Sequence, residues 1–138
     1  MPFSKETKYL IAINHFPKFG QKRLRLLKTH FKTWEAVYKA KIKDLCEAGL
    51  SEKLASEFFS FKNSLNIDEL STALEKEKIK IVEISEDKYP KLLKEIYDPP
   101  ILLYYKGNID IFAKKCLAFV GSRKNTNYGE PVVSKLVA

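Results

Sequence analysis

The stretch that decides the fold is LAFVGSR, residues 117–123. Its four consecutive apolar residues, Leu117 to Val120, favour a strand that is buried on both faces, as in a parallel sheet. Gly121 then allows a sharp turn, and a helix is predicted to begin near Gly129 or Glu130. A strand, a glycine turn and a helix in this order predict the opening βα unit of a Rossmann-like fold.

The same turn is the candidate phosphate site, formed by Gly121, Ser122 and Arg123 with Tyr128 and Gly129 beside them. Backbone amides, the serine hydroxyl and the N-terminus of the following helix would form an anion nest. The planar guanidinium of Arg123 suits phosphate geometry, while Tyr128 and Gly129 are expected to shape the turn. The glycines lack the GxGxxG spacing, so a dinucleotide is disfavoured and no cofactor is predicted. A purely structural turn with a surface arginine is the alternative.

Two further strands are predicted upstream of this unit. Residues 79–84 and 101–107 are rich in β-branched and aromatic residues, which favour strands. Residues 89–96 lie between them and are predicted to form a short helix with Pro90 in its first turn. A parallel sheet needs more strands than these to cover residues 117–120. Residues 79–138 are therefore expected to be the truncated start of a Rossmann-like parallel-sheet domain.

Residues 1–78 have a helical pattern instead. Four helices are preceded by predicted N-cap residues, Ser4, Thr33, Ser51 and Asn66. A further helix is predicted to end at Gly49, because glycine can adopt a positive φ. Short helices joined by tight turns predict a small all-α, SAM-like bundle. The predicted fold class is thus α + α/β, with a helical domain (1–78) followed by the Rossmann-like segment (79–138).

Charge is concentrated in the first half of the chain. The formal net charge is +8, with a pI near 9.4. Residues 1–66 contain 13 Lys and Arg against 6 Asp and Glu, whereas residues 67–138 contain 12 against 11. A basic module of this kind favours a polyanionic partner, above all nucleic acid. A solvated lysine-rich surface without a partner is the alternative.

Basic residues crowd a predicted turn between the first two helices. This turn resembles a helix-hairpin-helix motif, in which backbone amides at the start of a helix hold a DNA phosphate. The residues concerned are Lys18, Gly20, Lys22, Arg23 and Arg25. Lys18 stands where that motif has a glycine, so the hairpin is degenerate. It is a possible secondary contact with DNA or with a protein partner, and a solvated basic turn is the alternative.

The ordered motifs of the second half resemble the DprA/Smf family of DNA-processing proteins. The matching pieces are Tyr89-Pro90, Leu92-Leu93, Asp98-Pro99-Pro100, Leu103-Tyr104, Lys106-Gly107, Gly121-Ser122-Arg123 and Tyr128-Gly129. The chain is similar to the N-terminal portion of that family. In the family's pattern, residues 121–123 match the phosphate-pocket turn, which makes Arg123 the principal candidate for a DNA contact.

The resemblance implies a bacterial protein that binds and protects incoming single-stranded DNA. It also implies that the protein helps to load a RecA-type recombinase during natural transformation, and that the complete protein is a homodimer. Later family motifs that complete the DNA groove do not occur in this chain, so strong DNA binding by it is not implied.

Other patterns weigh against an enzyme. His15 and His30 fit no metal-ligand spacing, no nucleophile triad is legible, and neither a metal nor a catalytic residue is predicted. Cys46 and Cys116 form no CxxC pattern and are expected to be buried. No segment is long enough to span a membrane, so a cytoplasmic protein without a membrane partner is expected. The alternative function is a nucleotide-binding Rossmann-like enzyme whose helical domain docks a protein.

Overall fold

The computed structural model describes residues 2–124 and 126–137, in which helices predominate. Six helices come first, and a two-stranded sheet, a 3₁₀ helix and a last α-helix follow. The elements are α1 (Lys5–Asn14), α2 (Gln21–Phe31), α3 (Trp34–Lys39), α4 (Ile42–Glu47), α5 (Glu52–Ser64), α6 (Ile67–Lys76), β1 (Lys80–Glu83), α7 (Lys91–Lys94), β2 (Leu102–Tyr105), a 3₁₀ helix (Ile109–Ala113) and α8 (Gly129–Val137). A helical first half is therefore confirmed.

The predicted helix caps are confirmed. The side chains of Ser4, Thr33, Ser51 and Asn66 each accept a hydrogen bond from the backbone N–H three residues later. Each bond satisfies an amide that the first turn of a helix leaves without a partner. Gly49, with φ of 101°, ends α4 as predicted, in a conformation that costs little only for glycine.

The core of the helical bundle is built around aromatic side chains. Trp34 and Phe58 are the largest side chains that are fully buried. The ring of Phe58 lies 5.4 Å from that of Phe16 and 4.7 Å from that of Phe19, within the range of favourable aromatic pairs. Ile101 belongs to the same cluster, so the start of the sheet region packs on the bundle.

One lysine is buried in this bundle. Lys62 of α5 is only 7% exposed, and its Nζ donates hydrogen bonds of 2.7 Å to the carbonyl oxygens of Tyr38 and Ala40. Those carbonyls lie at the C-terminal end of α3, where a helix leaves acceptors unpaired and carries partial negative charge. Nζ also lies 4.6 Å from the ring centroid of Phe59. Lys62 thereby links α5 to the end of α3.

The sheet differs from the predicted parallel one. Strands β1 and β2 pair antiparallel, with Lys80 opposite Tyr105 and Glu83 opposite Leu102. The predicted strand at residues 117–120 is wrong: these residues are irregular and exposed, with Val120 96% exposed. A strand exists only where a neighbour accepts its hydrogen bonds, and among the described residues none lies beside this run. The Rossmann-like and SAM-like assignments stay predictions.

Two smaller expectations were met only in part. The short helix predicted over residues 89–96 is present, with Pro90 at its N-terminal end, but it is only the single turn of α7, and its Leu92 is 76% exposed. Both cysteines were expected to be buried, but Cys46 is only half-buried and Cys116 is exposed. Cys116 is exposed because it lies in the irregular segment that was expected to enter a sheet. The boundary predicted between residues 78 and 79 stays a prediction.

Candidate nucleic-acid interface

The candidate phosphate turn is exposed throughout. Gly121, Ser122 and Arg123 are all solvent-accessible, and no atom lies within 4 Å of the position that a Cβ on Gly121 would take. Arg123 makes no hydrogen bond or ion pair with any residue in 2–124 or 126–137. The Ser122 hydroxyl accepts a hydrogen bond of 3.3 Å from the amide of Lys124, which tightens the turn. A cation and an open backbone face solvent together at this point.

Helix α8 begins just beyond the turn, as predicted for Gly129. The Thr126 hydroxyl accepts a hydrogen bond of 3.1 Å from the amide of Gly129, which is therefore already bonded inside the protein. Tyr128 is 80% exposed, so its ring is free to contact a ligand. This gives Gly129 a structural position and leaves Tyr128 accessible.

A shallow cavity of about 470 Å³ connects the turn with the helix start. Gly121, Ser122 and Tyr128 line it, and so do Lys124 and Glu130, whereas Arg123 is not among its lining residues. The carboxylate of Glu130 would repel an anion in this cavity, whereas the ammonium of Lys124 would attract one. Sequence reasoning did not single out Lys124, although its place directly after Arg123 is the signal that could have found it.

The basic residues of the hairpin are largely engaged inside the protein. Lys18 Nζ lies 2.8 Å from a carboxylate oxygen of Glu57, and this hydrogen bond holds the pKa of Glu57 below its usual value. The Arg23 guanidinium donates to the carbonyl oxygen of Lys18 at 3.0 Å. Gly20 is the N-cap residue of α2 and makes no side-chain capping bond. Lys22 is exposed and has no ion-pair partner among the described residues. In the described part of the chain, Lys18 and Arg25 are thus paired with carboxylates, whereas Lys22 and Arg23 have no ion-pair partner.

Arg25 holds the loop before β2 against α2. Its two terminal nitrogens each lie 2.6 Å from one oxygen of Asp98, and one of them also donates to the carbonyl of Pro99 at 2.7 Å. Gln21, on the same helix as Arg25, accepts a hydrogen bond of 2.7 Å from the Ile101 amide through its side-chain oxygen. These contacts give the Asp98-Pro99-Pro100 motif a structural role.

Replacing Arg25 by Ala is expected to destabilise the fold by about 1 kcal/mol, because a half-exposed ion pair contributes little beyond its hydrogen bonds. Chemical denaturation followed by circular dichroism measures the change. Lys22→Ala is the matched control on the same helix and is expected to change the free energy of unfolding by less than about 0.5 kcal/mol. Equal effects of the two substitutions would contradict the structural role of Arg25.

The described residues give no sign of a metal centre or a membrane span. No group of three or more His, Cys, Asp and Glu side chains comes together in residues 2–124 and 126–137. Within the same residues, no helix is long and apolar enough to cross a bilayer.

The segment that contains the sheet and the candidate turn is similar to known proteins. Residues 80–138 match the family described as DNA recombination-mediator protein A. Over 71 residues, the chain is 41% identical to the DNA processing protein DprA of Streptococcus pneumoniae, an alignment that covers 51% of this chain and 25% of that protein. The corresponding protein of Bacillus subtilis is 42% identical over 59 residues, which cover 42% of this chain and 20% of that protein.

A longer match extends into the helical half. The protein Smf of Synechocystis is 27% identical over 138 residues, covering 96% of this chain and 35% of that protein. No solved structure matches the chain significantly. The turn and the sheet thus lie in a segment typical of proteins described as DNA recombination mediators. The second half of the chain is thus similar to the DprA/Smf family, and the alignments span a fifth to about a third of the length of these relatives.

Proposed function

We propose that this chain takes part in DNA processing by binding single-stranded DNA at the turn formed by Gly121, Ser122 and Arg123. The observation that carries the proposal is the exposed Arg123 guanidinium, unengaged among the described residues, beside an open glycine turn. Guanidinium groups bind phosphate oxygens through paired hydrogen bonds, and open amides in a turn add further donors. This arrangement suits the phosphate chain of a nucleic acid.

Two further features support single-stranded DNA as the ligand. The chain has a net charge of +8, which raises the local concentration of a polyanion. The ring of Tyr128 is 80% exposed and lines the cavity that Gly121 and Ser122 also line, and unpaired bases stack on such rings. In a duplex the bases are already stacked, so the ring would favour an unpaired strand.

The similarity to the DprA/Smf family extends the proposal to partners and to the complete fold. We infer that the protein protects incoming DNA and helps to load a RecA-type recombinase in natural transformation, and that it works as a homodimer. The exposed apolar run at residues 117–120 supports packing against additional strands in a Rossmann-like sheet, since Leu117 is 81% and Val120 96% exposed.

Competition binding tests the proposed ligand. A fluorescently labelled 20-nucleotide oligo-dT is titrated with the protein at low salt, and its anisotropy is followed. Unlabelled oligo-dT is expected to displace the label at lower concentration than an equal length of duplex, whereas mononucleotides should compete only weakly because they offer too few phosphates. Displacement by mononucleotides alone would support the nucleotide-binding alternative and contradict the proposal.

A further inference from the structure

A second basic surface lies far in sequence from the candidate turn. An open cleft of about 880 Å³ runs between the N-terminal segment, the end of α6 and the sheet. Lys78, Lys80 and Lys88 line it together with Phe3 and Tyr105. The one carboxylate in its lining, that of Glu75, already accepts the Phe3 amide at 2.9 Å. This lysine cleft therefore combines three cations with two aromatic rings.

Lys78 occupies a backbone position that usually belongs to glycine. Its φ is 55°, and the chain leaves α6 through hydrogen bonds from the Lys78 amide to the Glu75 carbonyl and from the Ile79 amide to the Leu74 carbonyl. This is the Schellman ending of a helix, in which the left-handed residue is most often glycine because a Cβ is strained there. Lys78 thus keeps a side chain at the wall of the cleft in a backbone position where glycine would be less strained, and it is its place in the cleft that distinguishes it from Lys32, which also has a positive φ.

The sheet places a lysine beside one of the two rings. Lys80 and Tyr105 are direct partners across the antiparallel strands, so their side chains share a face. Lys80 Nζ lies 6.0 Å from the ring centroid of Tyr105 and donates to the Gly107 carbonyl at 3.2 Å. An aromatic face flanked by ammonium groups is the combination that binds one unpaired nucleotide at a time.

We propose that the lysine cleft is a second contact surface for single-stranded DNA. Lys78, Lys80 and Lys88 bind phosphates of the strand, and an unpaired base stacks against Tyr105, the ring that lies beside Lys80. The cleft volume lies within the roughly 300–1,000 Å³ that is typical of ligand sites. This inference rests on the proposed function, but it concerns residues that the candidate turn does not contain.

Lys78→Gly tests the cleft without endangering the fold, because glycine relieves the strain at that position. Lys32→Gly is its matched control, since Lys32 is also exposed, also has a positive φ of 66°, and lies outside the cleft. Both variants should unfold at the same temperature as the unmodified chain or above it. Only Lys78→Gly should weaken binding to oligo-dT, by about three- to tenfold, and lower the slope of log K against log salt by about 0.7. Equal binding by the two variants would overturn the proposal.

Stacking of a base on Tyr105 can be tested separately. Tyr105→Leu should reduce the preference of the chain for oligo-dT over an abasic strand with the same number of phosphates, and Tyr105→Phe should retain that preference. An unchanged preference in Tyr105→Leu would overturn stacking in the cleft. Thermal unfolding of both variants shows whether a loss of binding follows from a loss of folded protein.

The two sites can fail separately in these experiments. Weaker binding by Arg123→Ala, with Lys78→Gly equal to Lys32→Gly, would overturn the cleft and leave the proposed function standing. Weaker binding by Lys78→Gly, with Arg123→Ala unchanged, would support the cleft and remove the turn as the DNA site. An unmodified chain that does not bind oligo-dT at low salt would overturn the proposed function and the cleft together.

Discussion

Arg123→Ala is expected to weaken binding of the chain to single-stranded oligo-dT roughly tenfold at low salt, because it removes the proposed bidentate phosphate contact as well as a charge. Arg123 has no intramolecular partner among the described residues, so its loss should leave the fold intact. Anisotropy titration measures the affinity, and thermal unfolding should show an unchanged midpoint. Arg123→Lys should restore only part of the affinity, because an ammonium keeps the charge but not the planar pair of donors.

Lys135→Ala is the matched control for this experiment. Lys135 lies in the last turn of α8 and is exposed, so its replacement removes one positive charge away from the turn. It should reduce affinity by about twofold or less, through the general field alone. If Lys135→Ala and Arg123→Ala weaken binding equally, the affinity comes from net charge and the turn is not a phosphate site.

Lys62→Ala is expected to be the most destabilising of these substitutions, by about 2–4 kcal/mol. It leaves the carbonyls of Tyr38 and Ala40 without their donor in a buried position and removes packing against Phe59. Lys62→Met separates the loss of the hydrogen bonds from the loss of packing, since it keeps the apolar stem and loses only the ammonium. Lys53→Met, an exposed change on the same helix, should alter the free energy of unfolding by less than about 0.5 kcal/mol.

The same lysine predicts a pH dependence. Burial lowers the pKa of Lys62 below its ordinary value of 10.5. Between the lowered pKa and 10.5, the unfolded chain binds the proton and the folded chain does not, so this residue makes the fold more stable as pH rises through that window. The stability of the unmodified chain relative to Lys62→Met should therefore increase as pH approaches 10.5. A constant or falling difference would contradict the buried position of the ammonium.

Local chemistry explains which parts of the fold could be predicted. Ser4, Thr33, Ser51 and Asn66 cap their helices through bonds that span three residues, so the sequence alone contains both partners. Gly49 ends α4 for a reason that is equally local, its positive φ. The start of α8 at Gly129 was likewise predicted from neighbouring residues.

The features that were missed depend on contacts between distant residues. The run at residues 117–120 has the composition of a buried strand, but a strand also needs a hydrogen-bonded neighbour, which composition does not reveal. Arg25 was taken as part of a basic surface, whereas its partner Asp98 lies 73 residues away. Lys62 was not expected in the core, because a helical lysine is usually solvated and its acceptors lie on another helix.

The salt dependence of oligo-dT binding, measured for the unmodified chain and for Arg123→Ala, tests the central claim most directly. A phosphate contact at Arg123 predicts that the slope of log K against log salt is shallower in the variant by about 0.7, the value for one phosphate contact to a single strand. Parallel slopes with equal affinities would show that Arg123 contacts no phosphate, and the turn at residues 121–123 would then not be the DNA-binding site.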